Sequence, residues 1–148
     1  MSKNIVGTWK LKSCVVKNTK DINDNCIFPY GKESSGQLMY NSDGYMSVII
    51  SENQRENLKF EKGYDIENAS DEEKLKICMN FVSYCGRYEL VENNQIHHTV
   101  ENSFLPNYIG NNLIRYFEFN QNALILTTPE FKIDKKVYKV VSSWEKVS

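Results

Sequence analysis

From Trp9 onward the chain alternates: Trp9, Leu11, Ser13 and Val15 fall on one side, and Lys10, Lys12 and Cys14 on the other. A period of two marks a strand with one buried face, so a first strand is predicted over residues 5–16. The period returns at 37–40 and 45–50, where Leu38 is in phase with Tyr40, and Met46 with Val48 and Ile50. Between them Asn41-Ser42-Asp43-Gly44 supplies a hairpin turn, because Asp-Gly accepts the positive φ such turns require. Further strands are predicted at 84–91, 96–101, 113–119, 123–128 and 136–147, with polar turns at 92–95 and 120–122.

One segment shifts to a helical period. Ser70-Asp71-Glu72-Glu73 is a capping box, and Leu75, Cys78, Met79 and Val82 then recur at i, i+3, i+4 and i+7, widened by Ile77 and Phe81. A helix over about 71–83 follows, packed through that stripe. Residues 51–69 hold neither period, as a lid, a binding loop or a disordered connection would. Pro29 and Gly31 punctuate another loop. The total is eight strands and one helix. Short strands joined in chain order favour an antiparallel up-and-down sheet, and eight can close into a barrel with room for one small ligand. The helix is expected to cap one end.

Composition narrows this picture. At 148 residues the chain is expected to form a single domain, 1–148, with one core. A net charge of −1 offers no field to gather a polyanion, so nucleic acid is not expected as a partner. The cluster Lys132, Lys135, Lys136 and Lys139 is diluted by Glu130, Asp134 and Glu145 and reads as solvated surface. No apolar leader opens the chain and no run approaches a membrane span, so a cytoplasmic protein without membrane contact is expected. Cys14, Cys26, Cys78 and Cys85 show no C-x-x-C spacing and read as thiols.

Several short motifs, in order, carry a family resemblance. They are Gly7-Thr8-Trp9, Phe28-Pro29-Tyr30-Gly31, Gly36-x-Leu38-x-Tyr40-x-x-Asp43-Gly44-Tyr45-Met46-Ser47, Gly86-Arg87-Tyr88, His97-His98 through Pro106-Asn107 and Gly110, and Arg115-x-Phe117. Together they span most of the chain. With them the sequence resembles the bacterial and fungal lipocalin-like domain family, within the calycin group of up-and-down barrels. The resemblance implies an eight-stranded lipocalin-like barrel with a pocket, in a family that includes plain binders, isomerases and cyclases among its related barrels. It also implies that Lys146 lies across the Trp9 indole as a structural contact. Thr127-Thr128-Pro129 stands where secreted lipocalins carry a late Thr-Asp-Tyr, which sets the chain apart from them.

Polar residues in phase with core residues are the informative ones, since burying them unpaired costs ~1–3 kcal/mol or more. By alternation these are Ser13, Tyr40, Tyr88, His98, Arg115 and Ser142. Arg115 shares its face with Leu113, Phe117 and Phe119, where a guanidinium can clamp a ligand carboxylate or instead bond backbone carbonyls. His98 is in phase with Ile96 and Val100, while His97 points away, so the two cannot chelate one metal. No metal and no cofactor are expected. No Gly-x-Ser-x-Gly elbow supports a hydrolase.

These readings converge on a small, largely hydrophobic ligand with one anionic or carbonyl group. Arg115 would hold its polar end, with His98, Tyr40 and Tyr88 nearby and Met46 and Trp144 in the apolar wall. An isomerase or cyclase in which His98 or a tyrosine moves a proton is the alternative, and a barrel filled by its own aromatics for protein interaction is a third. A monomer or homodimer fits each.

Overall fold

Strand β1 (Gly7–Asn18) keeps the predicted alternation only as far as Leu11. Leu11 lies opposite Trp144 and Ser13 opposite Ser143, so Lys12 is an extra residue, a bulge that reverses the phase of everything after it. Cys14 therefore enters the core while Ser13 does not, the opposite of what strict alternation predicts. The computed structural model describes residues 4–59, 63–92 and 94–147. Residues 60–62 of the aperiodic stretch and Asn93 of a predicted turn lie outside them.

After β1 come β2 (Ser34–Tyr40), β3 (Tyr45–Glu52), a helix α1 (Asp71–Cys78), β4 (Phe81–Val91), β5 (Gln95–Ser103), β6 (Asn112–Asn120), β7 (Ala123–Thr127), β8 (Phe131–Ile133) and β9 (Lys136–Lys146). Each strand from β1 to β6 pairs antiparallel with the next, β7 pairs with β9, and β9 returns to β1. That is the closed eight-stranded antiparallel barrel the sequence predicts. Segment β8 adds a ninth strand without adding a stave: it lies beside β9 on the same side as β7, beyond Pro129. The sequence predicts a strand at 123–128 and none at 131–133; the pairing along β9 breaks at Pro129, where proline offers no N–H to a ladder, and resumes at Phe131.

The helix is shorter than its hydrophobic stripe. The Ser70 hydroxyl accepts from the Glu73 amide at 3.2 Å, as the capping box requires. The Glu73 carboxylate, however, accepts from the Lys59 amide at 3.0 Å, tying the helix to the preceding segment. The helix ends at Cys78, Asn80 turns with a φ of 55°, and Phe81 and Val82 pair with Ser51 and Ile50. Sheet pairing takes the residues expected to form the last helical turn. Leu75 and Met79 are left 62% and 54% exposed, so the stripe does not pack.

The two ends of the barrel differ. Residues 41–44 and 121–122 close one end with short turns, whereas 19–33, 53–59, 63–80, 104–111 and 128–135 rim the other. At the short-turn end Gly7 has a φ of 141°, a backbone state side chains disfavour, and the chain there folds back so that Trp9 Nε1 donates to the Ile5 carbonyl at 2.8 Å. Lys146 Nζ sits 5.1 Å from the Trp9 ring centre and donates to the Val6 carbonyl at 2.8 Å. Trp9, Trp144, Leu38 and Leu124 pack there without solvent, making a floor.

Replacing Trp9 by Ala removes the largest part of that floor, and we expect urea denaturation to show a loss of ~3–5 kcal/mol. Lys146→Met should lose only ~0.5–2 kcal/mol, since it removes the cation but keeps the apolar stem. A Trp9→Ala protein as stable as wild type would mean that the floor is held elsewhere.

Candidate functional site

Inside the barrel the polar groups are few and joined. His98 on β5 is 2% exposed and stands between two phenols. The Tyr40 hydroxyl lies 2.7 Å from its Nε2 and the Tyr84 hydroxyl 2.8 Å from its Nδ1. Arg115 lies near enough to act on the Tyr84 hydroxyl through its charge. The chain Tyr40, His98, Tyr84, Arg115 thus draws on β2, β5, β4 and β6, and it runs from the packed core to the half-buried upper interior.

Strand register explains how these four meet. Tyr40 lies opposite Met46, Tyr84 opposite Val48, His98 opposite Tyr88 and Leu113, and Arg115 opposite Ile96, each in the inward row of its strand. Above them Tyr108 meets Tyr84 edge to face at 6.2 Å, and Tyr30 packs against the core from the first long loop. The upper interior is therefore aromatic with one guanidinium in it.

Burial sets the protonation states. The His98 imidazole is pushed down to about 3, chiefly by burial and further by the Arg115 and His97 charges, so it is neutral. Burial raises the Tyr40 and Tyr84 phenols above their ordinary range, and Arg115 opposes the rise in both. The Cys14 thiol is pushed up to about 11 by burial, again against Arg115, which leaves it protonated and unreactive. Arg115 is the charge these groups share.

Arg115 has a second task. Its Nη1 donates to the Ile114 carbonyl at 2.9 Å. Tyr116 lies opposite Thr127, so continuing that register by two residues sets Pro129 opposite Ile114. Proline has no N–H, and the guanidinium supplies the missing donor where the β6–β7 ladder stops. Ion pairs among the described residues join Lys12 to Glu145, Lys76 to Glu72, Arg87 to Glu101 and Lys136 to Asp24, all on the surface. Arg115 is in none of them, and its remaining N–H groups have no carboxylate.

Of the residues singled out from sequence, Tyr40, His98 and Arg115 come together. Tyr88 does not join them: its hydroxyl donates to the Asn41 carbonyl at 2.6 Å and braces the hairpin at the floor, its ring 4.8 Å from that of Tyr40. Met46 and Trp144 are buried in the packed core, where Trp144 Nε1 donates to Ser142 Oγ at 2.8 Å. His97 faces away and meets Gln95 and Asn112. Tyr84 is the residue that sequence reasoning passed over. Its signal was available, since period two carried back from Tyr88 through Gly86 arrives at Tyr84. A broad open groove of about 1410 Å³ between residues 52–59 and α1 shares no residue with this polar chain and is lined by charges of both signs.

A closed antiparallel barrel with a dry floor, a loop-rimmed mouth and an inward cation defines a small barrel of the calycin type. The chain belongs to the lipocalin-like domain family, whose model matches residues 6–147. No curated protein matches it. A barrel of this family points to ligand binding in general.

The neutral state of His98 has a consequence for stability. In the unfolded chain the imidazole takes a proton as pH falls through about 6.5, while in the folded protein it resists until about 3. The stability it contributes is present above pH 6.5 and is lost progressively down to pH 3. Unfolding free energy measured by urea titration should fall by up to about 1.4 kcal/mol per pH unit between about pH 6 and 4.5, before most carboxylates titrate. In His98→Gln that slope should flatten; an equal slope in both proteins would show that His98 is not its source.

Proposed function

We propose that this barrel binds a small, largely apolar molecule bearing one anionic or carbonyl group, with Arg115 holding the polar end. One observation carries the reading: a guanidinium in the aromatic upper interior, with donors to spare and no carboxylate paired to it among the described residues. A charge so placed is costly unless compensated. One of its N–H groups serves Ile114, and the rest are matched in shape and charge by a carboxylate. The half-buried Tyr30, Ile50, Phe117 and Val140 supply an apolar surround. Four free cysteines support a cytoplasmic setting.

The isomerase or cyclase reading changes its actor. Both His98 nitrogens are taken by phenols, and the ring is buried, so it has no free lone pair for a substrate proton. A proton exchanged with a bound molecule would have to pass through Tyr84.

Titration of a long-chain fatty acid, followed by calorimetry, tests the binding reading. Arg115→Met should weaken it by roughly 10- to 100-fold, the worth of charge-assisted hydrogen bonds, with Arg115→Lys in between. Because Arg115 also serves Ile114, thermal unfolding is recorded for each variant. Folded variants that bind as wild type does would remove Arg115 from the ligand.

A further inference from the structure

The hydrogen-bond chain has a direction, and that direction singles out one proton. Tyr40 is fully buried, and His98 Nε2 is its hydroxyl's partner among the described residues. If Nε2–H donated to Tyr40, the Tyr40 proton would point at nothing inside a dry core, which is the costly arrangement. Tyr40 therefore donates and Nε2 accepts. A neutral imidazole carries one proton, so it resides on Nδ1 and is donated to the Tyr84 oxygen. Arg115 stands near the same oxygen and acts on it through its charge. With the Tyr84 oxygen accepting from Nδ1, its O–H points away from His98, and no acceptor for it occurs among the described residues.

We propose that Tyr84 reads the ligand's polar end: its one uncommitted proton, presented beside the spare Arg115 N–H groups, selects a ligand oxygen, in a carboxylate or a ketone. The inference rests on the ligand-binding reading and deepens it. Arg115 recognises charge and Tyr84 recognises an oxygen lone pair, charged or not. Two donors of different kind standing side by side suit a carboxylate, whose two oxygens can take one each, better than an amine, which neither donor can serve as a cation. His98 and Tyr40 are positioning residues, since they touch only Tyr84 and each other along this chain. The arrangement also explains a neutral histidine beside an arginine: a protonated one would donate from both nitrogens and force Tyr40 to turn its proton away.

Two measurements decide it. In protein labelled with ¹⁵N histidine and without added ligand, long-range proton–nitrogen correlation should show His98 protonated on Nδ1 and bare on Nε2. The opposite tautomer would aim the Tyr84 proton at His98 and overturn the proposal. The second measurement titrates a long-chain fatty acid and the methyl ketone of equal chain length into wild type, Tyr84→Phe and Arg115→Met. Tyr84→Phe should weaken the ketone by about tenfold, one good hydrogen bond, while Arg115→Met leaves the ketone within about threefold and weakens the acid. Acid binding lost in Arg115→Met but ketone and acid both indifferent to Tyr84→Phe would refute the role of Tyr84 and leave the anion reading standing. A wild type that binds neither probe would refute both.

Discussion

Antiparallel pairing of β1 with β9, from Trp9 opposite Lys146 to Asn18 opposite Tyr138, removes the two edges that a meander of strands would otherwise expose. Everything inside depends on it. Closure brings the two tryptophans into one layer, because Leu11 lies opposite Trp144 while Trp9 faces Leu38 across the neighbouring pair. It also brings the C-terminal Lys146 over the Trp9 ring, where the same ammonium bonds the carbonyls of Asn4 and Val6. The first and last turns of chain are held by one side chain. The bulge at Lys12 belongs to the same device: were the strand to run in regular alternation through Lys12, Cys14 would face solvent and Ser13 the core, and an unpartnered hydroxyl would replace a small apolar group.

With its floor fixed, the interior divides along the barrel axis. Below, Trp9, Leu38, Leu124 and Trp144 exclude water, and the polar atoms there are answered locally, Trp9 Nε1 by Ile5 and Trp144 Nε1 by Ser142. Above, the answers come from across the barrel. Tyr40, His98 and Tyr84 sit on β2, β5 and β4, with Arg115 nearby on β6, so their hydrogen bonds exist only when the whole sheet has closed. A network of that kind is sensitive to strand register, since a slip by one residue would turn every member outward. It therefore ties specificity of the fold to geometry of the site.

Period two carried most of the architecture because a closed barrel has one inside, and every inward residue obeys the same rule. His98, Tyr40 and Arg115 were placed inward on that rule alone, and the hairpin at Asp43-Gly44 followed from turn chemistry. What the rule could not see were interruptions. The bulge at Lys12 leaves no local mark in the sequence. The helix stripe was real as a pattern, yet Phe81 and Val82 gain more from pairing with β3 than from a further helical turn, so tertiary pairing overrode local period. Tyr88 and Tyr84 show the limit at the site. Both occupy the inward row of β4, but one lies at the hairpin and spends its hydroxyl on Asn41, while the other lies higher and meets His98. Alternation assigns a face and says nothing of depth.

Depth is also what reconciles the two roles of Arg115. Had the guanidinium served only the Ile114 carbonyl, a neutral donor such as Gln would do the same with less desolvation, so the backbone contact alone does not account for a full positive charge in an aromatic surround. Had it served only a ligand, the Ile114 carbonyl would stand orphaned opposite Pro129. One planar fork meets both demands, because its N–H groups diverge from a single fixed plane. The backbone bond anchors the fork at the ladder's end, and its remaining donors keep their charge unspent. A proline that breaks a strand, and an arginine that repairs the break, thereby become the means by which a cation is held rigidly inside a barrel.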